Sequence, residues 1–401
     1  MKTKREDVIY MDNLHDSLKR KISKKKIIIV SIIVFIILMI IILQCIYAFN
    51  ESFRKTVDQH IPFKQIEENN VPYIKLENLN NTKIFAWTNY IAVIYGNKLI
   101  KYDSIGKDVA NINIDISNPL IAVNGDFAVI AEKQGRKIYL LRKNEIVWEK
   151  DLEGQISRVS VNQNGYVSAI IEGTIYKSVI ELFTSDGDEI FKTYLSSTIA
   201  VNSTISNDNK YLAFAEVNIS GTMIQSNIKI ISIEKAQKNK STIDSIIYTY
   251  NADPNSLIID IQYQNKNKLI CRYDNSIHVI EESDNKIMDI DSNNSFTDIK
   301  LNNFIVLTSE KNIEPLKTNT EISFININNK KVNIYNFTGN IKSLHGYYDK
   351  IAINTGKEVH FVGTNGWLIK KYKTSDDIKD VVMNNTIAGI IYKNKIEIIN
   401  L

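Results

Sequence analysis

The chain has 401 residues, 44% of them apolar and 23% charged. That length and balance exclude a disordered chain, a collagen-like chain and a disulfide-stapled miniprotein, leaving two or three domains or one large repetitive fold. The formal charge of +4 is unevenly spread: of 49 basic and 45 acidic residues, nine and four fall in residues 1–26 and none in 27–49. The remaining 40 basic and 41 acidic residues nearly cancel, so the main body is not a basic nucleic-acid binder and no nucleic-acid partner is expected. Asn, Ile and Lys are over-used while Pro (5) and Gly (15) are scarce, a bias that follows AT-rich codons and says nothing of activity.

Residues 1–26 read as a short basic cytoplasmic tail. Met11, Leu14, Leu18 and Ile22 recur at helical spacing, so a short amphipathic helix is expected over 8–22. Such a helix lies against anionic headgroups or docks a cytoplasmic partner; the tail is too short to be a folded effector domain.

Residues 27–49 read as a transmembrane helix. Only Ser31, Gln44 and Cys45 interrupt 23 residues of apolar sequence, which reach roughly 34 Å at about 1.5 Å per residue. The run is too long for a signal peptide, its exit Ile46-Tyr47-Ala48-Phe49 lacks a small-x-small site, and Gln44 is too large for a lipoprotein signal before Cys45. Lys19, Arg20, Lys21, Lys24, Lys25 and Lys26 crowd the N-terminal flank, so the N-terminus is expected in the cytoplasm and the bulk outside. Cys45 and Cys271 cannot reach each other, and Cys271 reads as a small core residue.

Residues 50–70, polar and mixed in charge, read as a juxtamembrane stalk. From 71 to 401 short β-rich runs follow one another with Asn-Gly, Asp-Gly or Asn-Asn pairs between them. A unit recurs. Its openings include Ile258-Ile-Asp-Ile-Gln-Tyr263, Phe296-Thr-Asp-Ile-Lys-Leu301, Ile341-Lys-Ser-Leu-His-Gly346 and Ile378-Lys-Asp-Val-Val-Met383. Very apolar second strands follow, such as Tyr90-Ile-Ala-Val-Ile94 and Tyr211-Leu-Ala-Phe-Ala215, as expected of strands buried on both faces. Asp186-Gly187 and Asn365-Gly366 mark two-residue hairpins between third and fourth strands, and 138–151 has the same form with a poorer turn. Unit starts near 82, 118, 155, 199, 258, 295, 341 and 378 give a period near 40, which points to an all-β fold, a β-propeller of four-stranded blades. The long fourth unit is explained by polar loops at 218–225 and 236–242. The last unit stops one strand short at Leu401, and Val71-Pro-Tyr-Ile-Lys-Leu-Glu77 can supply the missing outer strand. Eight blades closed by the two termini are expected, with seven as the alternative.

Runs such as Ile205-Ser-Asn-Asp-Asn-Lys-Tyr-Leu-Ala213 resemble the repeat core of WD40-like and TolB-like propellers, and Ile146-Val-Trp-Glu-Lys-Asp-Leu152 resembles quinoprotein-type (PQQ-like) repeats. The whole chain resembles clostridial membrane proteins of unknown function with one N-terminal anchor and an outer propeller. The resemblance implies a fold and an envelope location, and no reaction.

No HExxH, GxSxG, Walker or CxxC motif occurs. The five histidines, His15, His60, His278, His345 and His360, show no metal-ligand spacing. Asp289-Ile-Asp-Ser-Asn293 begins like a calcium loop, but Asn294 and Lys300 stand where Gly and Glu are needed. Three tryptophans, Trp87, Trp148 and Trp367, supply a quinone cradle poorly, so no cofactor and no catalytic residue are expected. Asp260, Asp298 and Asp380 occupy equivalent positions in three units, with Ser343 and Arg158 in two others. Equivalent first-strand positions share one height around a propeller axis, so the three carboxylates form a candidate binding patch at a channel mouth for a cation or a basic partner. Alternatively each accepts local hydrogen bonds and orders the backbone. The expected function is an anchored, extracytoplasmic binding or scaffold module for a protein or cell-wall partner. The alternatives are a propeller enzyme, quinoprotein or hydrolase, and a sensor acting through the tail.

Overall fold

The computed structural model describes residues 24–50, 53, 57, 65–67, 71–76 and 82–401, apart from 174, 221–223, 254–255, 265–267, 282–283, 290–293, 300 and 315–316. The tail helix expected over 8–22, His15, His60 and residues 290–293 of the calcium-like segment lie outside the described residues. The chain divides into two compact units, 1–63 and 64–401.

In the first unit, helix α1 (Lys24–Phe49) runs 26 residues. Its last turn closes through Asn50 N–H donating to the Ile46 carbonyl at 2.8 Å. Ile28 to Leu43 present apolar side chains to every side, and none is buried against protein. An all-round apolar helix needs an apolar medium, and the stretch Ile28–Phe49 is long and apolar enough to cross a membrane.

The second unit is an eight-bladed β-propeller. Blades 1 to 7 span 83–113, 119–151, 155–195, 199–251, 258–289, 294–338 and 343–373, each four consecutive antiparallel strands. Blade 8 consists of Asp380–Met383, Ile387–Ile391 and Lys395–Asn400, completed by Tyr73–Lys75 from the other end of the chain. Every blade begins within two residues of its expected start, and the ring closes through the segment the sequence nominated. Blade 7 differs. Gln65–Glu67, in the stretch read as stalk, pairs in parallel with Leu368–Lys373 and adds a fifth strand.

The core is divided among the contacts between blades. One apolar cluster fills each neighbouring pair, for example Trp87, Leu99, Ile130 and Leu141 between blades 1 and 2, and Ile74, Ile91, Val382 and Ile396 across the closure. Second strands are buried on both faces because they are flanked by sheets: Ile91 to Ile94 are at most 1% exposed. First strands of successive blades adjoin one another around the axis.

Antiparallel order gives the ring two faces. One carries the turns between strands 1 and 2 and between strands 3 and 4; we term it the turn face. The other, the connection face, carries the turns between strands 2 and 3 and the links between blades. On the turn face asparagines clasp neighbouring blades. Asn162 Nδ2 donates to the Ser206 carbonyl at 3.0 Å, Asn164 Nδ2 to the Asn207 carbonyl at 2.7 Å, and Asn384 Nδ2 to the Thr88 carbonyl across the closure.

Two local expectations are corrected. Asp186-Gly187 and Asn365-Gly366 do not form two-residue hairpins. The loops run 184–188 and 364–367, each with the glycine at positive φ and a bulge where the ladder resumes. Steric demand from the next blade adds to the conformational one: a Cβ on Gly366 would sit 2.7 Å from the Ile334 carbonyl of blade 6. The tight turn belongs instead to Lys143-Asn144, with Lys143 at φ 54°. Within 236–242, read as loop, helix α2 (Ile233–Asn239) begins in the preceding strand's end. Ser232 Oγ caps it, accepting from Lys235 N–H, and Ile233 and Ala236 bury between blades 3 and 4.

Candidate functional site

Asp260 and Asp380 lie where their first strands start, next to the connection face, whereas Asp298 ends its strand, Asn294–Asp298. Blades 4 and 5 carry a β-bulge there, between Ala200 and Asn202 and between Ile258 and Asp260. A bulge leaves a backbone N–H out of the ladder, and a short acceptor side chain beside it can take that proton. Asp260 Oδ1 accepts from the Ile261 N–H at 2.9 Å, Asn202 Oδ1 from the Ser203 N–H at 2.8 Å, and Asp380 Oδ1 from the Val381 N–H at 2.8 Å.

The same oxygens link blades. Asn202 Nδ2 of blade 4 donates to Asp260 Oδ1 of blade 5, and Ser343 Oγ of blade 7 donates to Asp380 Oδ1 of blade 8 at 2.9 Å. Asp298 of blade 6 lies against the first strand of blade 7: a Cβ on Gly346 would come within 2.8 Å of its Oδ1. Arg158 of blade 3 stays exposed and donates to its neighbour's carbonyl, Ser157 O, at 3.2 Å. Asp260 and Asp298 are half-buried and Asp380 is exposed. Among the described residues no group of three or more His, Cys, Asp or Glu is arranged to hold one metal ion. Two of the three aspartates, Asp260 and Asp380, accept both a local amide and a side chain of the preceding blade. Asn202, their partner in blade 4, was not singled out from sequence because Ile199-Ala-Val-Asn202 lacks the aspartate that flagged the repeat.

Of the other histidines, His278 is buried and its Nε2 lies 3.2 Å from Ser276 Oγ. His360 is buried between blades 6 and 7. Its Nδ1 lies 2.9 Å from the Tyr335 hydroxyl and its Nε2 3.3 Å from Glu358 Oε2. Burial lowers its pKa, against the pull of Glu358. The hydrogen bond from His360 and the Lys371 ammonium at 2.8 Å bring the Glu358 carboxyl down to about 2.

Three buried polar groups escaped the sequence reading. Lys101 is fully buried: its Nζ donates to the Lys143 carbonyl and Asn144 Oδ1, both at 3.0 Å, and lies 4.1 Å from the centre of the Trp87 ring. Desolvation lowers its pKa to about 8. Glu181, buried within the strand Ser178–Phe183, pairs with Lys192 at 3.0 Å. Glu397 accepts from the hydroxyls of Tyr372 and Tyr392 and pairs with Lys395 at 2.8 Å. The available signal was parity: Lys101 follows Leu99 at a spacing of two, so both point inward, and Glu181 and Glu397 interrupt apolar runs.

Residues 49–401 match the model of a family described as a family of unknown function (DUF5711), and the chain belongs to that family. No curated protein matches. Solved structures are similar in fold. The C-terminal WD40 domain of Sif2 aligns at a TM-score of 0.54 with 13% identity, covering 82% of this chain and 97% of that one. Chaetomium thermophilum Sqt1 bound to the N-terminus of the ribosomal protein L10 aligns at 0.53 with 9% identity, covering 82% and 100%. BamB from Moraxella catarrhalis aligns at 0.48 with 10% identity, covering 82% and 99%.

Proposed function

We propose that this chain is a membrane-anchored binding module whose propeller presents a ring-shaped platform, on the extracytoplasmic side, to a protein or cell-envelope ligand. One observation carries the reading: Asp260 and Asp380, the acidic groups beside the axis, are engaged in holding strands and blades together, so the surface left for contact is the exposed loops of the rim. The anchor supports it, because α1 followed by a closed ring tethers a platform. The basic flank from Lys19 to Lys26 supports the orientation. Propellers of similar fold include one bound to a protein terminus, Sqt1 with the N-terminus of L10.

The test uses the full chain in its own membrane. A membrane-impermeant amine reagent applied to intact cells should label propeller lysines; protection of those lysines until lysis overturns the orientation. Photo-crosslinking side chains placed in turn on both faces should capture a specific envelope component. Failure at every position, with a quinone or metal co-purifying in stoichiometric amount, would replace this reading with an enzymatic one.

A further inference from the structure

Gln65–Glu67 lies in the chain between the anchor and the strand that closes the ring. It runs parallel to the outer strand of blade 7, with Gln65, Ile66 and Glu67 in register with Lys371, Tyr372 and Lys373. Ile66 is half-buried against the cluster that contains Tyr372 and Ile378. Tyr73–Lys75, the closing strand, is held more firmly. Ile74 is buried between blades 8 and 1, the Ile398 N–H donates to the Pro72 carbonyl at 2.8 Å, and the Leu76 N–H donates to the Asn394 carbonyl at 3.0 Å. Gln65–Glu67 is therefore a strap on a blade edge, separable from the closure of the ring.

The three residues that carry the strap are set in place by a buried histidine. On the inner side of their strand His360 pairs with Lys371, Val359 with Tyr372 and Glu358 with Lys373. Glu358 accepts at 3.3 Å from His360 Nε2, and it also pairs with Lys371 at 2.8 Å and Lys373 at 3.8 Å. A carboxylate only accepts, so Nε2 carries the imidazole proton and Nδ1 accepts from the Tyr335 hydroxyl at 2.9 Å. One carboxylate thus serves the histidine and both lysines that flank Tyr372. The other neighbours are apolar at closest approach: Ile353, in register on the next strand, and Phe337 of blade 6, its ring centred 5.0 Å from the imidazole. Beyond them lie Glu310 of blade 6, which accepts from the Ile341 N–H at 3.1 Å, and Lys342 of the connecting segment, beside Gly356.

Acid upsets this arrangement. A second proton on His360 turns Nδ1 into a donor towards Tyr335 and leaves Glu358 shared among three cations. Burial opposes that proton most strongly; Glu358 favours it and the Lys371 charge opposes it, so the His360 pKa lies below its ordinary value. An opening that lets the ring meet water restores an ordinary histidine, which protonates below about 6.5. The opened form then holds more protons than the closed one. Closure is accordingly complete above about 6.5 and weakens as pH falls. The edge is where opening costs least, because it needs only a three-residue strand with a half-buried Ile66 to part from blade 7.

We propose that Gln65–Glu67 is an acid-released strap: protonation of His360 frees it from blade 7 while Tyr73–Lys75 keeps the ring closed. Lys371 and Lys373 transmit the change, since their side chains meet Glu358 and their backbone carries the strap. Once the strap is free, the ring is held to its anchor through Tyr73–Lys75, on a longer tether. That consequence rests on the membrane-anchored reading, and the switch itself does not.

The experiment is amide hydrogen exchange of the full chain in nanodiscs, read by mass spectrometry as protection factors corrected for the intrinsic rate at each pH. From about pH 7.5 to 5, a peptide spanning Gln65–Glu67 should lose at least about fivefold in protection. Tyr73–Lys75 and blade 3 should keep theirs. His360→Gln, which offers Glu358 a donor and Tyr335 an acceptor without a titrating ring, should hold the strap's protection constant. Lys371→Met leaves Glu358 to His360 and Lys373 and should shrink the loss. Blade 3 protection in each variant reports that the ring is folded. Strap protection that ignores pH, or that falls equally in His360→Gln, overturns the proposal. Acid loss that takes in Glu358–Gly363 and Tyr73–Lys75 along with the strap overturns it too, because blades are then unfolding. None of these outcomes depends on which side of the membrane holds the ring, so the intact-cell labelling tells a failed orientation from a failed switch.

Discussion

Replacing Lys101 by Met separates the burial of a charge from the burial of a side chain. The native amine is fully buried over Trp87 and held at about 8 by desolvation, which the Asp126 carboxylate only partly offsets. Its folded-state pKa is thus below that of the unfolded chain, 10.5. Between those values the unfolded state holds more protons at this site, so folding stability rises with pH. Each unit of pKa corresponds to about 1.4 kcal/mol, and over pH 7 to 10 native stability should climb by about 2.5 kcal/mol relative to Lys101→Met. The window ends near 10. Tyr263, Tyr273 and Tyr392 are pushed up by burial, so above 10 the unfolded chain loses those protons first and stability falls. The assay is urea unfolding of the full chain in detergent, followed by tryptophan fluorescence, for both proteins across pH 7 to 10. Because Nζ lies 4.1 Å from the Trp87 ring centre, native emission should also titrate near pH 8 in the wild type and not in the variant. Stability curves that run parallel from pH 7 to 10 would refute the reasoning.

On the acid side, His360 has a lowered pKa and Glu358 a pKa near 2. Stability should fall first below about pH 6.5, the ordinary His value, as His360 is forced to protonate beside Tyr335 and Lys371. It should fall again below about 4.5 as Glu358 is neutralised; His360→Gln should remove the first decline in a pH series of melting temperatures and shrink the second, which Lys371 still sustains. Gly366→Ala meets both a φ of +78° and the Ile334 carbonyl, so it should cost about 2–3 kcal/mol. Gly96→Ala, at φ +57° in open space, should cost only about 1 kcal/mol by the same denaturation measurement. Glu397→Ala removes the carboxylate that accepts from two buried hydroxyls and pairs with Lys395, while Lys395 keeps Asp376 at 3.5 Å and the hydroxyls keep each other, so it should cost about 1–3 kcal/mol, with Glu397→Gln recovering at least half. Ile74→Asp places a charge in the cluster that seals the ring. Amides of Lys395–Asn400 should then exchange with solvent faster than those of blade 3, and uniform protection would contradict closure by Tyr73–Lys75.

Much of the fold was legible because a propeller is written locally. Each blade is one hairpin-connected unit, so its strands are adjacent in sequence and its period survives as spacing. The second strands announced themselves as unbroken apolar runs since both their faces meet another sheet. What could not be read was whatever depends on the next blade. Gly366 is shaped by Ile334, thirty-two residues away, and the expected two-residue hairpin gives way to a longer loop. Helix α2 was hidden in a polar stretch because its two buried residues, Ile233 and Ala236, face a neighbour unknown from local pattern. The asparagines that looked like codon bias bond successive blades at Asn162, Asn164 and Asn384. Asp260, Asp298 and Asp380 were recognised by repetition, but their bonds to Asn202 and Ser343 belong to pairs 58 and 37 residues apart.

By itself, the sequence determined the 23-residue apolar run, the near-neutral body, the four-stranded unit and the terminal segment that completes the last blade. These follow from composition and from periods shorter than one blade. Only the tertiary structure decided that eight units close into one ring and that buried charges such as Lys101 and Glu397 have partners. Each of those is set by distances between units, and a linear pattern carries no information about distance until the ring has closed.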